Sequence, residues 1–159
     1  MAKPSPERLL PATYPWSVDV PPRFGDLDPL RHLNNAALAR FYEDGRVRFV
    51  DAIGARAAVE PGYGFVVAEV AIQYLAEGRY PDVVTVSSGL LRLGRSSFTM
   101  GHALFQLGAC IGTSETTLVH VKRRESGSRP LPDGLRTALQ AYALTVPAEP
   151  TSSMQQQDT

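Results

Sequence analysis

The sequence predicts an α+β domain in which a five-stranded antiparallel sheet wraps around one long helix. Three observations lead there. Only one long stretch, from Asn34 or Asn35 to about Gly54, repeats its apolar residues at helical spacing. Five other stretches are rich in Val, Ile, Leu, Phe and Thr, and short separators join the last four. A sheet of that size must cover an apolar face, and the helix is the element available to do so.

Length and composition are compatible with this. At 159 residues the chain is most simply one domain, large enough to bury about two-thirds of its unfolded surface. Sixteen basic side chains balance sixteen acidic ones, which argues against nucleic acid or an anionic membrane as a generic partner. The single cysteine, Cys110, has no internal disulfide partner and points to a reducing cytosol. The polar, proline-containing start lacks the apolar core of a signal peptide, and no apolar run has the roughly 18 residues of a membrane span. The expected location is cytoplasmic.

In chain order, residues 1–15 read as an irregular N-terminal arm and 16–146 as the folded domain. Trp16-Ser17-Val18-Asp19-Val20 alternates as a strand does, and Pro21-Pro22 removes two ladder donors, so this strand lies at an edge or ends there. Pro29 marks a turn and Asn34 or Asn35 a helix N-cap. Leu38, Phe41, Tyr42, Gly45, Phe49 and Ile53 share a helix face, and Gly45 lets that face approach a sheet closely. Arg40 with Asp44, and Asp44 with Arg48, stand at pairing distance on another face. Gly54 is a stop signal. Strands follow over 64–76, 83–93, 96–108 and 111–123, with neighbours expected as antiparallel hairpins. A short amphipathic helix fits 133–144, and the polar tail 147–159 is expected to be disordered.

Chemistry concentrates in Arg23 to Asn35. Asp28 lies just before a helix start, whose unpaired N–H groups suit a carbonyl oxygen gaining negative charge. A carboxylate there can attack that carbonyl or activate water. The same spacing also fits Asp26 and Asp28 as turn and capping residues. His32 reads either as an orienting or hydrogen-bonding group or as a capping or surface histidine. Asn34 and Asn35 read as substrate- or water-binding groups or as helix caps, and Arg31 as a solvated cation or a partner of a phosphate or of one of the nearby aspartates. There is no nucleophile-elbow, phosphate-loop, dinucleotide or zinc-protease motif. His102 and His120 sit in strand patterns as packed or paired residues. Glu69, in an apolar strand, reads as either buried and partnered or exposed.

The stretch Phe24-Gly25-Asp26-Leu27-Asp28-Pro29-Leu30-Arg31-His32-Leu33-Asn34-Asn35, followed by Leu38, Phe41-Tyr42-Glu43 and Arg46, resembles the hotdog-fold acyl-CoA thioesterases of the 4-hydroxybenzoyl-CoA thioesterase-like branch. That branch carries an aromatic residue, then D-x-D-x-x-G-H-x-N-N, then a helix with Glu-x-x-Arg. Leu93-Gly94-Arg95-Ser96-Ser97-Phe98 is similar to its strand-connecting Gly-Arg-Ser segment. The resemblance covers about residues 17–143. It implies the hotdog fold and hydrolysis of an acyl-CoA, with Asp28 catalytic and His32, Asn34 and Asn35 beside it. It also implies dimers or tetramers of this chain, with sites at the subunit interface. Arg31, Gly94, Arg95, Ser96 and Ser97 are then candidates to meet the substrate. No metal or cofactor is implied beyond the coenzyme A of the substrate itself. Arg31 departs from the branch, which has glycine there. If that position needs positive φ, arginine costs about 1 kcal/mol. Two other readings remain. Gly25 to His32 also resembles the hotdog hydratase pattern G-D-x-N-P-x-H, with Asp for Asn and one residue inserted. The Arg31 substitution also keeps open a non-catalytic acyl-CoA-binding module.

Overall fold

The structure is a computed structural model and describes residues 3–145, so the tail expected at 147–159 lies outside the described residues. Five strands form one antiparallel sheet: β1 (Trp16–Val20), β2 (Tyr63–Tyr74), β3 (Val84–Leu93), β4 (Ser97–Gln106) and β5 (Ala109–Lys122). Their order across the sheet is β1-β3-β4-β5-β2. Two helices accompany them, α1 (Asn35–Ala52) and α2 (Asp133–Gln140). β1 pairs on one side only, with β3, and Pro21-Pro22 follow it, so the proline pair does mark an edge strand.

One expectation fails. β2 and β3 do not form a hairpin; β2 pairs with β5, and β3 with β1 and β4. The separator at 75–83 is long enough, when extended, to cross the ends of β5 and β4, about 14 Å of sheet. Contacts remote in sequence hold it there. The amides of Leu75 and Ala76 donate to the Ile111 carbonyl. Gln106 clamps the crossing with three bonds: it accepts from the Arg79 amide at 2.8 Å and donates to the carbonyls of Arg79 and Asp82 at 2.8 and 2.7 Å. The β4–β5 turn also falls earlier than expected. Leu107 and Gly108 both take positive φ, and β5 starts at Ala109. Glu69 is exposed at a bulge in β2.

α1 begins as its sequence dictates. The Asn34 side chain accepts from the Ala37 amide at 2.7 Å. Gly54, with φ +69°, ends it. Its buried side contains Leu38, Phe41, Tyr42, Gly45 and Phe49 and packs on β1, β3 and β4. Phe41 lies in a cluster with Val84, Val86, Leu104 and Ile111. Phe49 lies in another with Phe98, Met100, Leu118 and the α2 residues Leu135 and Leu139. Of the two ion pairs expected on α1, Asp44–Arg48 forms at 3.1 Å. Arg40 does not take Asp44; it reaches back to Asp26.

Gly45 meets the sheet closely, because a Cβ built there would fall 2.3 Å from Cγ1 of Val86. Alanine would gain about 1 kcal/mol of helix propensity, yet overpacking costs about 1–3 kcal/mol. Gly45→Ala is therefore expected to lower the melting temperature, and an unchanged or raised value would show that the helix can lift off β3.

The opposite face of the sheet is covered by the arm, which is more ordered than an irregular segment. It makes single 3-10 turns at Pro6–Leu9 and Pro11–Thr13. Arg8 is buried, pairs with Glu115 at 2.8 Å and donates to the Ser114 carbonyl at 3.1 Å. Leu144 packs beside it over Gly101.

Candidate active site

The segment from Arg23 to Asn34 is folded by its own polar groups. Asp26 is buried, accepts from the Arg23 amide at 2.8 Å and pairs with Arg40. Its carbonyl accepts from the Asn34 amide at 2.9 Å, which ties the segment to the start of α1. The Leu33 amide donates to the Gly78 carbonyl at 2.8 Å, fixing the segment against the β2–β3 crossing.

Asp28 to His32 form a tight turn. The Asp28 amide donates to the His32 carbonyl at 2.9 Å, and the Arg31 amide to the Asp28 carbonyl at 3.0 Å. Closing it puts Arg31 at φ +64°, the left-handed region in which a non-glycine side chain costs about 1 kcal/mol. Oδ1 of Asp28 accepts from the amides of Leu30 at 2.8 Å and His32 at 3.0 Å. Oδ2 has no hydrogen-bond partner among the described residues. The two aspartates thus differ: one is committed to Arg40, the other keeps a free oxygen.

The neighbouring candidates divide similarly. Nε2 of His32 lies 3.1 Å from Oε2 of Glu77, so the ring's partner is Glu77, and His32 reaches Asp28 through its backbone amide. Asn34 is the helix cap. Asn35 is exposed, and its side chain makes no hydrogen bond among the described residues. The amides of Asn35 and Ala36, in the first turn, precede any helical acceptor. The Arg31 guanidinium is exposed and forms no ion pair among the described residues. Phe24 and Leu30 stand exposed on the same segment.

Gly94 to Ser97 lie elsewhere in the protomer. They form the β3–β4 turn, closed by the Gly94 amide on the Ser97 carbonyl at 2.8 Å. Arg136 of α2 donates to the Gly94 carbonyl at 2.7 Å. The Asp28 segment sits at the other end of these strands, where β1 ends and β3 begins, about 30 Å away by strand rise. One protomer therefore does not bring the two groups of candidates together.

Two features escaped the sequence. Glu77 sits on the crossing, 45 residues from His32, with no local pattern to single it out. The second is a buried polar row beneath α1. Ser88, His102 and Ser114 are direct neighbours across β3, β4 and β5, and Nδ1 of His102 lies 2.8 Å from Oγ of Ser88. Nε2 of His102, Oγ of Ser114 and the Tyr42 hydroxyl are buried without a partner among the described residues. Burial, then the charges of Arg46 and Arg8, lower the His102 pKa to about 3. Burial, before any charge, raises Tyr42 well above its ordinary value. Cys110 donates to the Gly112 carbonyl at 3.4 Å, and burial raises its thiol. Among the described residues, no three His, Cys, Asp or Glu side chains gather to hold a metal ion. No described helix is long and apolar enough to cross a membrane.

A model of the thioesterase-like superfamily matches residues 22–139, which include the Asp28 segment, the helix and all four later strands. The chain belongs to that superfamily. No curated protein sequence matches it. Among solved structures, a Thermus thermophilus thioesterase complexed with coenzyme A and zinc is 32% identical, with 81% of this chain and 95% of that one covered and a TM-score of 0.70. The PA5185 protein of Pseudomonas aeruginosa is 24% identical over 86% of this chain and 96% of its own, with a TM-score of 0.76. A 1,4-dihydroxy-2-naphthoyl-CoA thioesterase from Synechocystis is only 12% identical over 79% and 95%, and at a TM-score of 0.68 it shares the fold.

Proposed function

We propose that this superfamily member hydrolyses an acyl-CoA to the free acid and coenzyme A. Asp28 serves as nucleophile or general base. The observation that carries this is its carboxylate: Oδ1 is fixed by two backbone amides while Oδ2 is free of partners among the described residues, just ahead of α1. As nucleophile, Oδ2 attacks the thioester carbon, the thiolate leaves, and water cleaves the resulting anhydride. As base, it takes a proton from the attacking water. In either case the carbonyl oxygen gains charge, and the first-turn amides of Asn35 and Ala36 stabilise it. His32, through Glu77, and Asn35 flank the substrate.

The hotdog arrangement, a sheet curved around α1, is completed by a second copy of the chain. β2 is an edge strand with Val66, Val67 and Val70 between 45% and 48% exposed, which is a template for further pairing. The Tyr63 end of β2 shares one end of the sheet with Ser96, through β5, and the Tyr74 end touches Asn35. Antiparallel pairing of β2 with its copy would set the partner's Gly94–Ser97 turn toward this protomer's Asp28. That supports an interfacial site in a homodimer or in a tetramer built from it, with those four residues meeting the coenzyme.

A panel of aromatic, medium-chain and long-chain acyl-CoAs with thiol detection tests the activity. Saturable thiol release is expected for at least one class. Loss of enoyl absorbance without thiol would instead establish a hydratase, and tight binding with neither signal a binding module.

A further inference from the structure

The outer face of the sheet, away from α1, is shaped to receive both ends of its own chain. Gly89 of β3 and Gly101 of β4 stand directly opposite each other. With no side chain at either position they leave a slot across two strands, and Leu144 fills it. A Cβ at Gly89 would fall 2.6 Å from Cδ2 of Leu144 and 2.8 Å from Cδ of Pro15, and one at Gly101 would fall 2.9 Å from Cδ1 of Leu144 and 3.3 Å from Nη2 of Arg8. Larger residues would overpack both positions while the arm and Leu144 are in place. Beside the slot, Tyr14 of the arm meets Phe105 edge-on at 6.1 Å and, with Ala103, makes a small core of its own.

Polar contacts lock this layer. Nη1 of Arg8 meets Oε1 of Glu115 at 2.8 Å, Nη2 donates to the Ser114 carbonyl at 3.1 Å, and Nε donates to the Tyr14 hydroxyl at 3.3 Å. That hydroxyl donates in turn to the Arg8 carbonyl at 2.9 Å. A strap of residues 142–145 bonds the sheet at Leu90, whose amide donates to the Tyr142 carbonyl at 2.7 Å and whose carbonyl accepts from the Leu144 amide at 2.9 Å. The strap also bonds the arm, because the Thr145 amide donates to the Thr13 carbonyl at 3.0 Å. Arm and strap therefore hold each other as well as the sheet. The layer stops short of β2: a cavity of about 500 Å³ separates Lys3 and Pro4 of the arm from Glu69 and Ala71 of that strand. The β2 edge stays clear of it.

Sheets stack face to face at about 10 Å, so a layer of main chain and side chains keeps a second sheet out. Without the layer, this face would present Ala103, Phe105 and the bare glycine slot, an apolar surface of the kind that draws another molecule. We infer that the arm and the strap are a cap that ends assembly at two chains, and that the face beneath them is a stacking surface for another copy, kept covered by Arg8 and Tyr14. The inference rests on the β2 pairing proposed above only for the number two.

Light scattering of the full chain and of full-length variants tests this. The parent is expected at the mass of two chains. Arg8→Glu sets a carboxylate against Glu115 and should release the arm, seen as faster hydrogen exchange at the Thr145 amide, and the assembly mass should double. Adding Glu115→Arg reverses the pair and should restore the parent's mass, which a general loss of stability would not do. Circular dichroism checks folding, and Tyr14→Ala, which buries no unpaired charge, carries the same comparison should Arg8→Glu fail to fold. A parent of four chains would overturn the inference. So would a folded variant with a released arm and the parent's mass, or unchanged exchange at Thr145 in both variants. A parent of one chain whose mass doubles on release would remove the β2 pairing and leave the cap standing. A parent of two chains whose mass ignores release would do the reverse.

Discussion

Asp28→Asn is expected to lower thiol release by about 10²–10⁴-fold while the protein stays folded. The amide oxygen of asparagine can still accept from Leu30 and His32, so the turn that holds the side chain survives. The group replacing Oδ2 neither attacks a carbonyl nor takes a proton from water. The loss should therefore fall on kcat, with KM and melting temperature near those of the parent. Asp26→Asn is the useful contrast, because Asp26 is buried against Arg40 and fastens the segment to α1. Weakening that charge pair should cost stability more than turnover per folded molecule. If Asp28→Asn retained full turnover, the free carboxylate oxygen would have no part in the chemistry. Were Asp26→Asn the inactive one, the roles of the two aspartates would be exchanged.

What the sequence disclosed about this site depended on how far each contact reaches along the chain. The cap at Asn34, one of the two asparagines the pattern offered, Gly54 as the stop and Pro21-Pro22 beside an edge strand are all local, and the residue pattern placed each of them to within a residue. Positive φ at Arg31 was legible only as a condition, because the turn from Asp28 to His32 had first to close. Arg40 illustrates the limit. Asp44 is its neighbour at helical spacing, but the loop returns and offers Asp26, 14 residues away. The hairpin expected between β2 and β3 fails for the same reason: Gln106, 24 residues beyond Asp82, holds the crossing. The row Ser88–His102–Ser114 needs the register of three strands before its members can be seen as neighbours, and no spacing within one strand reveals it. Long-range pairing decided both what was missed in the fold and what was missed beside α1.

That row makes acid the condition under which the protein should lose stability first. His102 is fully buried between α1 and the sheet, and burial together with Arg46 and Arg8 holds its pKa down to about 3, against an ordinary value of 6.5. Among the described residues its ring has one hydrogen-bond partner, Ser88, and it faces the Tyr42 ring at 6.3 Å, so none of them rewards a second proton. Above pH 6.5 neither the folded nor the unfolded chain binds that proton at His102, and the full stability is present. As pH falls below 6.5 the unfolded chain takes up a proton that the folded chain refuses, so stability declines until the folded pKa is reached. The loss attributable to His102 is on the order of 3 kcal/mol between about pH 6.5 and 4.5. Denaturant unfolding across that interval measures it, and His102→Gln supplies the comparison. Glutamine does not titrate and can still bond Ser88. The quantity compared is the slope of unfolding free energy against pH, so a uniformly weaker variant remains informative. The parent should bind about one more proton on unfolding than the variant does. Equal slopes would mean that His102 is protonated in the folded protein, with water or an anion reaching beneath α1 to the unpartnered Nε2.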